Sequence, residues 1–83
     1  MNNSSFNEIK FRDFEVDFSE DKYIIKGLAE DSEVLYFEKI SEGVILWNWD
    51  KDKARKCDDV QNASAMMQLF KTTNLKHYIP PRE

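Results

Sequence analysis

The sequence predicts an α+β fold: an antiparallel four-stranded β-meander followed by one C-terminal helix that packs on one face of the sheet. Phe14, Val16 and Phe18 alternate with charged side chains, which is the period of a half-buried strand, and residues 60–70 repeat apolar side chains at helical spacing. Strands that precede a helix, rather than alternating with helices, favour an α+β arrangement. The 83 residues fit a single domain, 1–83, and we expect residues 1–5 and 79–83 to be frayed.

The N-terminal segment leaves two interpretations open, an additional strand and a short helix. Ser5 and Glu8 have the spacing of a capping box, which favours a helix. Ile9 and Phe11 alternate with charged residues, which favours a strand. Beyond them the alternation continues in the opposite phase, so the slip at Arg12–Asp13 predicts either a β-bulge or a break between two elements.

Residues 14–28 predict the first hairpin. Its loop is Ser19–Lys22 or, in the tighter form, Glu20–Asp21. Both loops produce the same register, with aromatic and β-branched pairs on one face and opposite charges on the other, which is typical of a half-buried antiparallel pair. The predicted pairs are Phe18 with Tyr23, Val16 with Ile25 and Glu15 with Lys26.

The second hairpin joins Glu33–Ile40 to Val44–Asp50 through the loop Ser41–Gly43. A three-residue loop that ends in glycine is typical of a turn whose last residue adopts a left-handed conformation. We expect Ile40 to pair with Val44, which makes the hairpin apolar on both faces. One face carries Leu35, Phe37, Ile45, Trp47 and Trp49, and the other carries Val34, Tyr36, Ile40, Val44 and Leu46.

The C-terminal helix is predicted from its cap and its apolar stripe. Asp58 and Gln61 have the spacing of a capping-box variant. We expect Asn74 to end the helix in a left-handed conformation, and Pro80–Pro81 to end all regular structure. The stripe consists of Val60, Ala63, Met66, Met67, Leu69 and Phe70.

One helix is about 10–12 Å wide and covers only one face of a sheet. The second apolar face therefore needs another cover. One interpretation is that the N-terminal segment folds over it through Phe6, Ile9 and Phe11. The other is an exposed apolar surface with carboxylates around it, which is typical of a protein-binding site.

Composition argues against catalysis. Cys57 is the only cysteine and His77 the only histidine, too few for an internal disulfide or for the four ligands of a structural zinc site. Nothing in the sequence orients these two residues as nucleophile and base, and the carboxylates follow strands and turns. We therefore expect no enzyme and no cofactor. With no apolar run of about 18 residues and no secretory leader, we expect no membrane contact and a cytoplasmic location.

The charges are unevenly distributed along the chain. Residues 1–50 hold twelve acids and five bases, a balance of −7, whereas residues 51–83 hold four acids and seven bases, a balance of +3; the sum is the net −4. A strongly acidic region steers basic partners towards it. We expect binding through seven carboxylates and three aromatic anchors: Glu15, Asp17, Glu20, Asp21, Glu30, Asp31, Glu33, Tyr36, Trp47 and Trp49.

These features predict a small, acidic, non-catalytic module that inhibits or neutralises a partner with a basic surface, such as a nuclease, a toxin or a nucleic-acid-processing complex. Immunity proteins, antitoxins and phage-encoded inhibitors of host defence share this small size and acidic charge, which is an analogy of class. Two alternatives stay open. The spare face or the sheet edges would support a homodimer. The bases of Lys51–Lys56, next to Trp47 and Trp49, would support weak nucleic-acid binding.

Overall fold

The structure, a computed structural model, describes residues 10–81. Its elements are β1 (Phe11–Ser19), β2 (Lys22–Ala29), β3 (Val34–Ser41), β4 (Val44–Asn48), α1 (Val60–Thr72) and β5 (Lys76–Tyr78), with one 3-10 turn at Lys51–Lys53. The strands form one sheet in the order β1-β2-β3-β4-β5, in which the first four are an antiparallel meander and β5 runs parallel to β4. The α+β class is confirmed, and the described sheet has five strands instead of four.

The first hairpin has the predicted register, with Phe18 opposite Tyr23, Val16 opposite Ile25 and Glu15 opposite Lys26. Its loop is the two-residue form, Glu20–Asp21, and both residues have positive φ, as type I′ turns require. The register shifts by one residue between Phe11 and Asp13. The slip at Arg12–Asp13 is therefore a β-bulge within a continuous β1, and the alternative of a break is wrong. The capping box at Ser5 lies outside the described residues.

The second hairpin has a shorter loop than predicted. Glu42 and Gly43 alone connect β3 to β4, both with positive φ, at 53° and 77°. Ser41 consequently lies opposite Val44, so the expected three-residue loop and the pairing of Val44 with Ile40 are wrong. The pattern favours both loops because glycine suits the left-handed position in each of them.

A second bulge compensates for the shorter loop. The register of β3 and β4 shifts between Phe37 and Lys39, which leaves Phe37 opposite Trp47, as predicted. Ile40 lies opposite Ile45, on the side of the sheet that faces α1, and not on the outer face. A single extra residue therefore changes the face of everything between the bulge and the loop.

The core lies between α1 and one face of the sheet. It contains the face of the second hairpin that carries Leu35, Phe37, Ile45 and Trp47, with Trp49 half-buried at its margin. The fully enclosed members are Ile25, Ala29, Leu35, Phe37, Ile45, Trp47, Cys57, Ala63, Phe70 and Ile79. Aromatic rings make up much of this volume, which suits a small domain because each ring removes a large apolar area from water.

Helix α1 begins and ends differently from the prediction. Its N-cap is Asp59, whose side chain accepts a hydrogen bond from an amide of the first turn, whereas the expected cap, Asp58, forms an ion pair with Lys22. The helix ends at an extended Thr73, so the left-handed stop at Asn74 is wrong. No helix within residues 10–81 is long and apolar enough to cross a membrane.

The chain after α1 packs against the core. β5 pairs with β4 along Lys76–Tyr78, and Ile79 is fully buried. The indole N–H of Trp49 donates to the Pro80 carbonyl at 2.8 Å. The expected fraying from residue 79 is therefore wrong for Ile79 and Pro80. Contacts with distant parts of the chain hold this segment in place. Its three strand residues are too few to show the two-residue period from which a strand is predicted.

The outer face of the sheet, opposite α1, carries the second apolar set. Ile24 is fully buried on this face. Phe11 lies on the helix side, with its ring 4.6 Å from that of Trp47, so the expectation that it covers the outer face is wrong. Phe6 and Ile9 lie outside the described residues. The half-buried members of the outer face include Leu28, Val34, Tyr36, Val44 and Leu46.

Candidate functional site

The seven predicted carboxylates do not form one surface. Glu20 and Asp21 occupy the turn between β1 and β2, whereas Glu30, Asp31 and Glu33 surround the turn between β2 and β3. These turns lie at opposite ends of β2, whose eight residues span roughly 25 Å. The direction of the strands therefore decides which acids can face the same partner.

The two remaining carboxylates, Glu15 and Asp17, lie beside Lys26 on the outer face. The Lys26 ammonium is 3.7 Å from the Glu15 carboxylate and 3.8 Å from that of Asp17. Such partly exposed pairs contribute little to stability, but the shared positive charge offsets part of the negative potential of this face. Asp17 also accepts a hydrogen bond from the Phe18 amide at 3.0 Å. These two acids thus have partners within the hairpin itself.

Of the three predicted aromatic anchors, Trp47 is excluded. It is 1 % exposed, and its indole N–H donates to Nδ1 of His77 at 2.9 Å. Trp49 is half-buried, and its indole N–H bonds to the Pro80 carbonyl. Tyr36 is half-buried on the outer face. The two tryptophans therefore hold the fold together, because their positions in the second hairpin face α1.

Phe18 is an exposed aromatic residue that the sequence analysis did not select as an anchor. It is 58 % exposed, the most of any large apolar residue within residues 10–81, and its ring lies 5.0 Å from that of Tyr23. The sequence contains an indication of this exposure, since Phe18 is the last apolar residue before the loop, and the packed part of the strand ends there. We call Phe18, Glu20 and Asp21 the hairpin tip.

Among residues 10–81, the carboxylates of the hairpin tip have no counter-ion. Within residues 10–81, no cation lies at ion-pair distance from Glu20 or Asp21, and the adjacent Lys22 is paired with Asp58. Both acids are exposed and have left-handed backbones, with φ of 52° and 65°. This conformation costs a residue with a Cβ atom about 1 kcal/mol or more. The turn therefore presents acidic side chains where asparagine and glycine would be more stable.

The basic segment Lys51–Lys56 folds back on itself and on β3. The Arg55 amide donates to the Phe37 carbonyl at 2.8 Å, and the Lys56 ammonium donates to two carbonyls of its own loop. Nucleic-acid binding through this segment would need an aromatic ring for base stacking. Of the two nearby tryptophans, Trp47 is buried, and Trp49 is half-buried with its indole N–H bonded to the Pro80 carbonyl. This geometry disfavours the segment as a binding surface for single strands.

Cys57 and His77 have separate partners. Cys57 is buried, and its backbone exchanges two hydrogen bonds of 2.8 Å with Tyr23. The imidazole of His77 accepts its hydrogen bond from Trp47. In the part of the chain that the structure describes, no three His, Cys, Asp or Glu side chains are placed to hold a metal ion.

The free edge of β1 is protected by its own aspartates. The Asp13 carboxylate accepts from the Phe14 amide at 2.8 Å, and Asp17 does the same for Phe18. The bond from Phe14 and the nearby Lys71 ammonium lower the pKa of the Asp13 carboxyl below its ordinary value. Amides that already have an acceptor are less available to a second strand, which disfavours dimerisation by strand addition at β1.

Comparison with known proteins gave no match among protein-family models, curated proteins or solved structures. The features of this molecule that indicate a function are the exposure and the charge of the hairpin tip.

Proposed function

We propose that this protein is a small, non-catalytic binding module that inhibits or neutralises a partner protein with a basic surface, and that it docks through the hairpin tip. The observation that carries the proposal is the exposure of Phe18 beside two carboxylates without counter-ions. An apolar anchor with charged groups around it is the usual arrangement of a binding hot spot, whose centre loses water on docking while its rim stays polar.

Charge and apolar contact act at different stages of docking. The net charge of −4 and the unpaired carboxylates of the hairpin tip raise the encounter rate with a positive surface. On contact, burial of the exposed part of the Phe18 ring contributes on the order of 1–2 kcal/mol. The carboxylates of Glu20 and Asp21 then pair with lysine or arginine side chains around the ring.

A surface that otherwise binds a polyanion is the partner that this tip fits best. Nucleases, toxins that act on nucleic acids and nucleic-acid-processing complexes carry clusters of lysine and arginine, because these side chains attract phosphate groups. Small acidic inhibitors of the immunity, antitoxin or phage anti-defence type neutralise targets of this kind, and the comparison with them is one of class.

Site-specific photocrosslinking tests the docking surface. A benzophenone amino acid replaces Phe18 in one variant and, in a matched control, Val60, which is 43 % exposed at the start of α1. In an extract of the source organism at low salt, we expect crosslinks from position 18 to a protein of basic isoelectric point, and none from position 60. The adduct should weaken at high salt, because screening removes the attraction.

Charge reversal supplies the second control. Glu20→Lys should abolish the adduct, whereas Glu30→Lys, the same change in an exposed turn at the other end of β2, should leave it in place. Equal crosslinking from positions 18 and 60, or an adduct that survives Glu20→Lys, contradicts docking through the hairpin tip.

Self-assembly through the outer face of the sheet is the second candidate function. It is favoured by apolar side chains that stay only half-buried there: Val34, Tyr36, Val44 and Leu46. Light scattering after size exclusion separates the two candidates. A molar mass near 9.9 kDa across micromolar concentrations supports the docking module, and a mass that doubles with concentration supports the homodimer.

A further inference from the structure

The first and last strands of the sheet, β1 and β5, face each other across a cleft. They stand at opposite ends of the strand order, yet the ring of Phe11 lies 5.2 Å and that of Phe14 6.2 Å from the imidazole of His77. No ladder joins the two strands within residues 10–81, so the sheet curls towards a barrel that does not close. The gap is a cleft of about 630 Å³.

Aromatic rings form the walls of this cleft: Phe11, Phe14, Phe70 and His77. Gly27 fixes the position of the first of them. A Cβ atom at Gly27 would lie 2.5 Å from the Phe11 ring and 2.9 Å from the Trp47 ring. Both rings therefore pack directly against the backbone of Gly27, where there is no room for a side chain. The Phe11 ring is therefore held in place in the wall, where it is tilted by 39° against the ring of Phe14.

Cations surround the rings. Lys10, Arg12 and Lys71 line the cleft together with one carboxylate, that of Asp13. The Lys71 ammonium lies 3.5 Å from this carboxylate. Lys10 and Arg12 are exposed and have no carboxylate at ion-pair distance among the described residues. The charged side chains that line the aromatic cleft thus sum to +2 in a protein of net charge −4.

The bulge in β1 produces this arrangement. Phe11 and Phe14 are three residues apart and would point to opposite faces of a regular strand. The extra residue brings both rings to the side of the core, and it leaves Arg12 and Asp13 together in the lining of the cleft. Bulges commonly redirect side chains next to binding sites.

His77 adds a hydrogen-bond donor to the wall. Its Nδ1 accepts from the indole N–H of Trp47 at 2.9 Å, so the neutral ring carries its proton on Nε2. Burial lowers the pKa of His77 below its ordinary value, which keeps the ring neutral near pH 7.

We propose that the cleft binds a nucleotide, with the base against the rings of Phe11 and Phe14 and the phosphate against Lys10 and Arg12. The summed charge of +2 in the lining matches the charge of about −2 that a phosphate monoester carries at neutral pH. The guanidinium of Arg12 can bond two phosphate oxygens at once. The volume of the cleft lies within the range of small-molecule sites. This site is at the end of β1 opposite the hairpin tip, so it goes beyond the proposed docking function.

Titration calorimetry on the 83-residue chain tests the site with adenosine 5′-monophosphate, adenosine and inorganic phosphate. We expect the monophosphate to bind and each part alone to bind at least about tenfold more weakly, since each makes only part of the contacts. Equal affinity for phosphate and nucleotide shows that the cations hold an ion only, and this overturns the proposal. Absence of binding by every common nucleoside monophosphate also overturns it.

Two matched substitutions locate the ligand. Arg12→Gln should weaken nucleotide binding by about tenfold, the effect of one charged hydrogen bond, and Arg55→Gln, at an exposed arginine outside the cleft, should leave it unchanged. The NMR signal of the Trp47 indole N–H should shift on binding, because its acceptor His77 lines the cleft. Equal losses in both variants, or a Trp47 signal that stays in place at saturation, overturn the proposal.

A free nucleotide and the 5′ end of a single strand carry the same base and phosphate, and a 5′-phosphorylated tetranucleotide distinguishes between these two ligands. Tighter binding than that of the monophosphate assigns the cleft to the end of a single strand, because the further phosphates and bases add contacts beyond those of the first nucleotide. Equal or weaker binding assigns it to a free nucleotide. In both cases Arg12→Gln should reduce the affinity, and its failure to do so overturns the site for either source.

Discussion

At the scale of single residues, His77 connects the buried core to the cleft. Its Nδ1 accepts the indole N–H of Trp47, and burial lowers its pKa. Protonation at Nδ1 would deprive the Trp47 N–H of its acceptor, which is costly inside a core. The charges that line the cleft with His77 are those of Lys10, Arg12, Asp13 and Lys71.

The stability of the protein should decrease as the pH falls through the titration of His77. Because the folded-state pKa lies below the ordinary value of 6.5, the unfolded chain binds more protons. The contribution is fully present above this value and is lost as the pH falls below it, towards the folded-state pKa. Urea unfolding, followed by tryptophan fluorescence between about pH 7.5 and 5, measures the change.

His77→Gln is the control for this prediction. Its amide oxygen can still accept from Trp47, but it does not titrate, so the free energy of unfolding should vary less with pH in this range. The same slope in the variant and in the parent would assign the effect to other groups. Asp13 does not interfere, because its pKa is lowered from 3.8 and it titrates at more acidic pH.

At the scale of secondary-structure elements, the two tight turns and the helix cap each depend on the conformational preference of a few residues. The first turn also belongs to the proposed docking surface. Both two-residue loops require left-handed backbones, which glycine and asparagine adopt most easily. Glu20–Asp21 contains neither, while the second loop contains one, Gly43. Local rules are most often broken where a surface has another use, and the first of these turns is the hairpin tip.

Relief of the turn strain should stabilise the protein and weaken docking. Glu20→Asn combined with Asp21→Gly should raise the free energy of unfolding by about 1 kcal/mol, and should also remove the crosslink from position 18. Glu42→Asn, which relieves the same kind of strain in the other loop, should stabilise the protein without affecting the crosslink. A lower unfolding midpoint in urea for the double variant would contradict the strain argument.

The cap of α1 provides a second prediction at this scale. Asp59→Ala should lower the free energy of unfolding by about 1 kcal/mol, since it leaves an amide of the first turn without its acceptor. Asp58→Ala removes only an exposed ion pair with Lys22 and should cost about 0.5 kcal/mol or less. Thermal or urea unfolding of both variants measures the difference, and equal costs would argue against Asp59 as the cap.

At the scale of the whole molecule, the two proposed surfaces lie at opposite ends of β1. This strand has nine residues and spans roughly 30 Å, with the acidic hairpin tip at its C-terminal end and the cationic cleft at its N-terminal end. The tip and the lining of the cleft therefore carry charges of opposite sign, although Glu30, Asp31 and Glu33 lie in the turn at the same end of β1 as the cleft, where the Glu30 amide donates to the Lys10 carbonyl. A basic partner is drawn to the tip and a phosphate to the cleft.

Association with the crosslinked partner should depend on the charge of the tip. Glu20→Lys should reduce the association rate by about tenfold at low salt, and Glu30→Lys, at the far end of β2, should reduce it less. Stopped-flow measurements over a range of ionic strengths supply the rates. A rate that does not change with ionic strength, or an equal loss in both variants, would rule out steering by the hairpin tip.

Local sequence patterns are enough to predict the β1–β2 register and the shared face of Leu35, Phe37, Ile45 and Trp47, because both follow from a two-residue period and from loops that join strands adjacent in the chain. The change of phase at Arg12–Asp13 predicts a bulge or a break, and the pairing of Phe11 with Ala29 decides for the bulge. The acidic turns are also predictable from the sequence, because a turn depends on a few consecutive residues. The second loop was misjudged by one residue, since glycine fits both turn types.

The accessibility of these residues and their contacts with distant parts of the chain depend on the tertiary structure. Trp47 was a plausible anchor until the sheet and α1 enclosed it, and Phe18 became the exposed aromatic because the packed part of its strand ends before it. β5 and the cleft depend on the curl of the sheet, which brings Phe11 beside His77 from 66 positions away (77 − 11). Such pairings depend on the packing of the whole chain, and a segment as short as β5 shows no periodic pattern that predicts them.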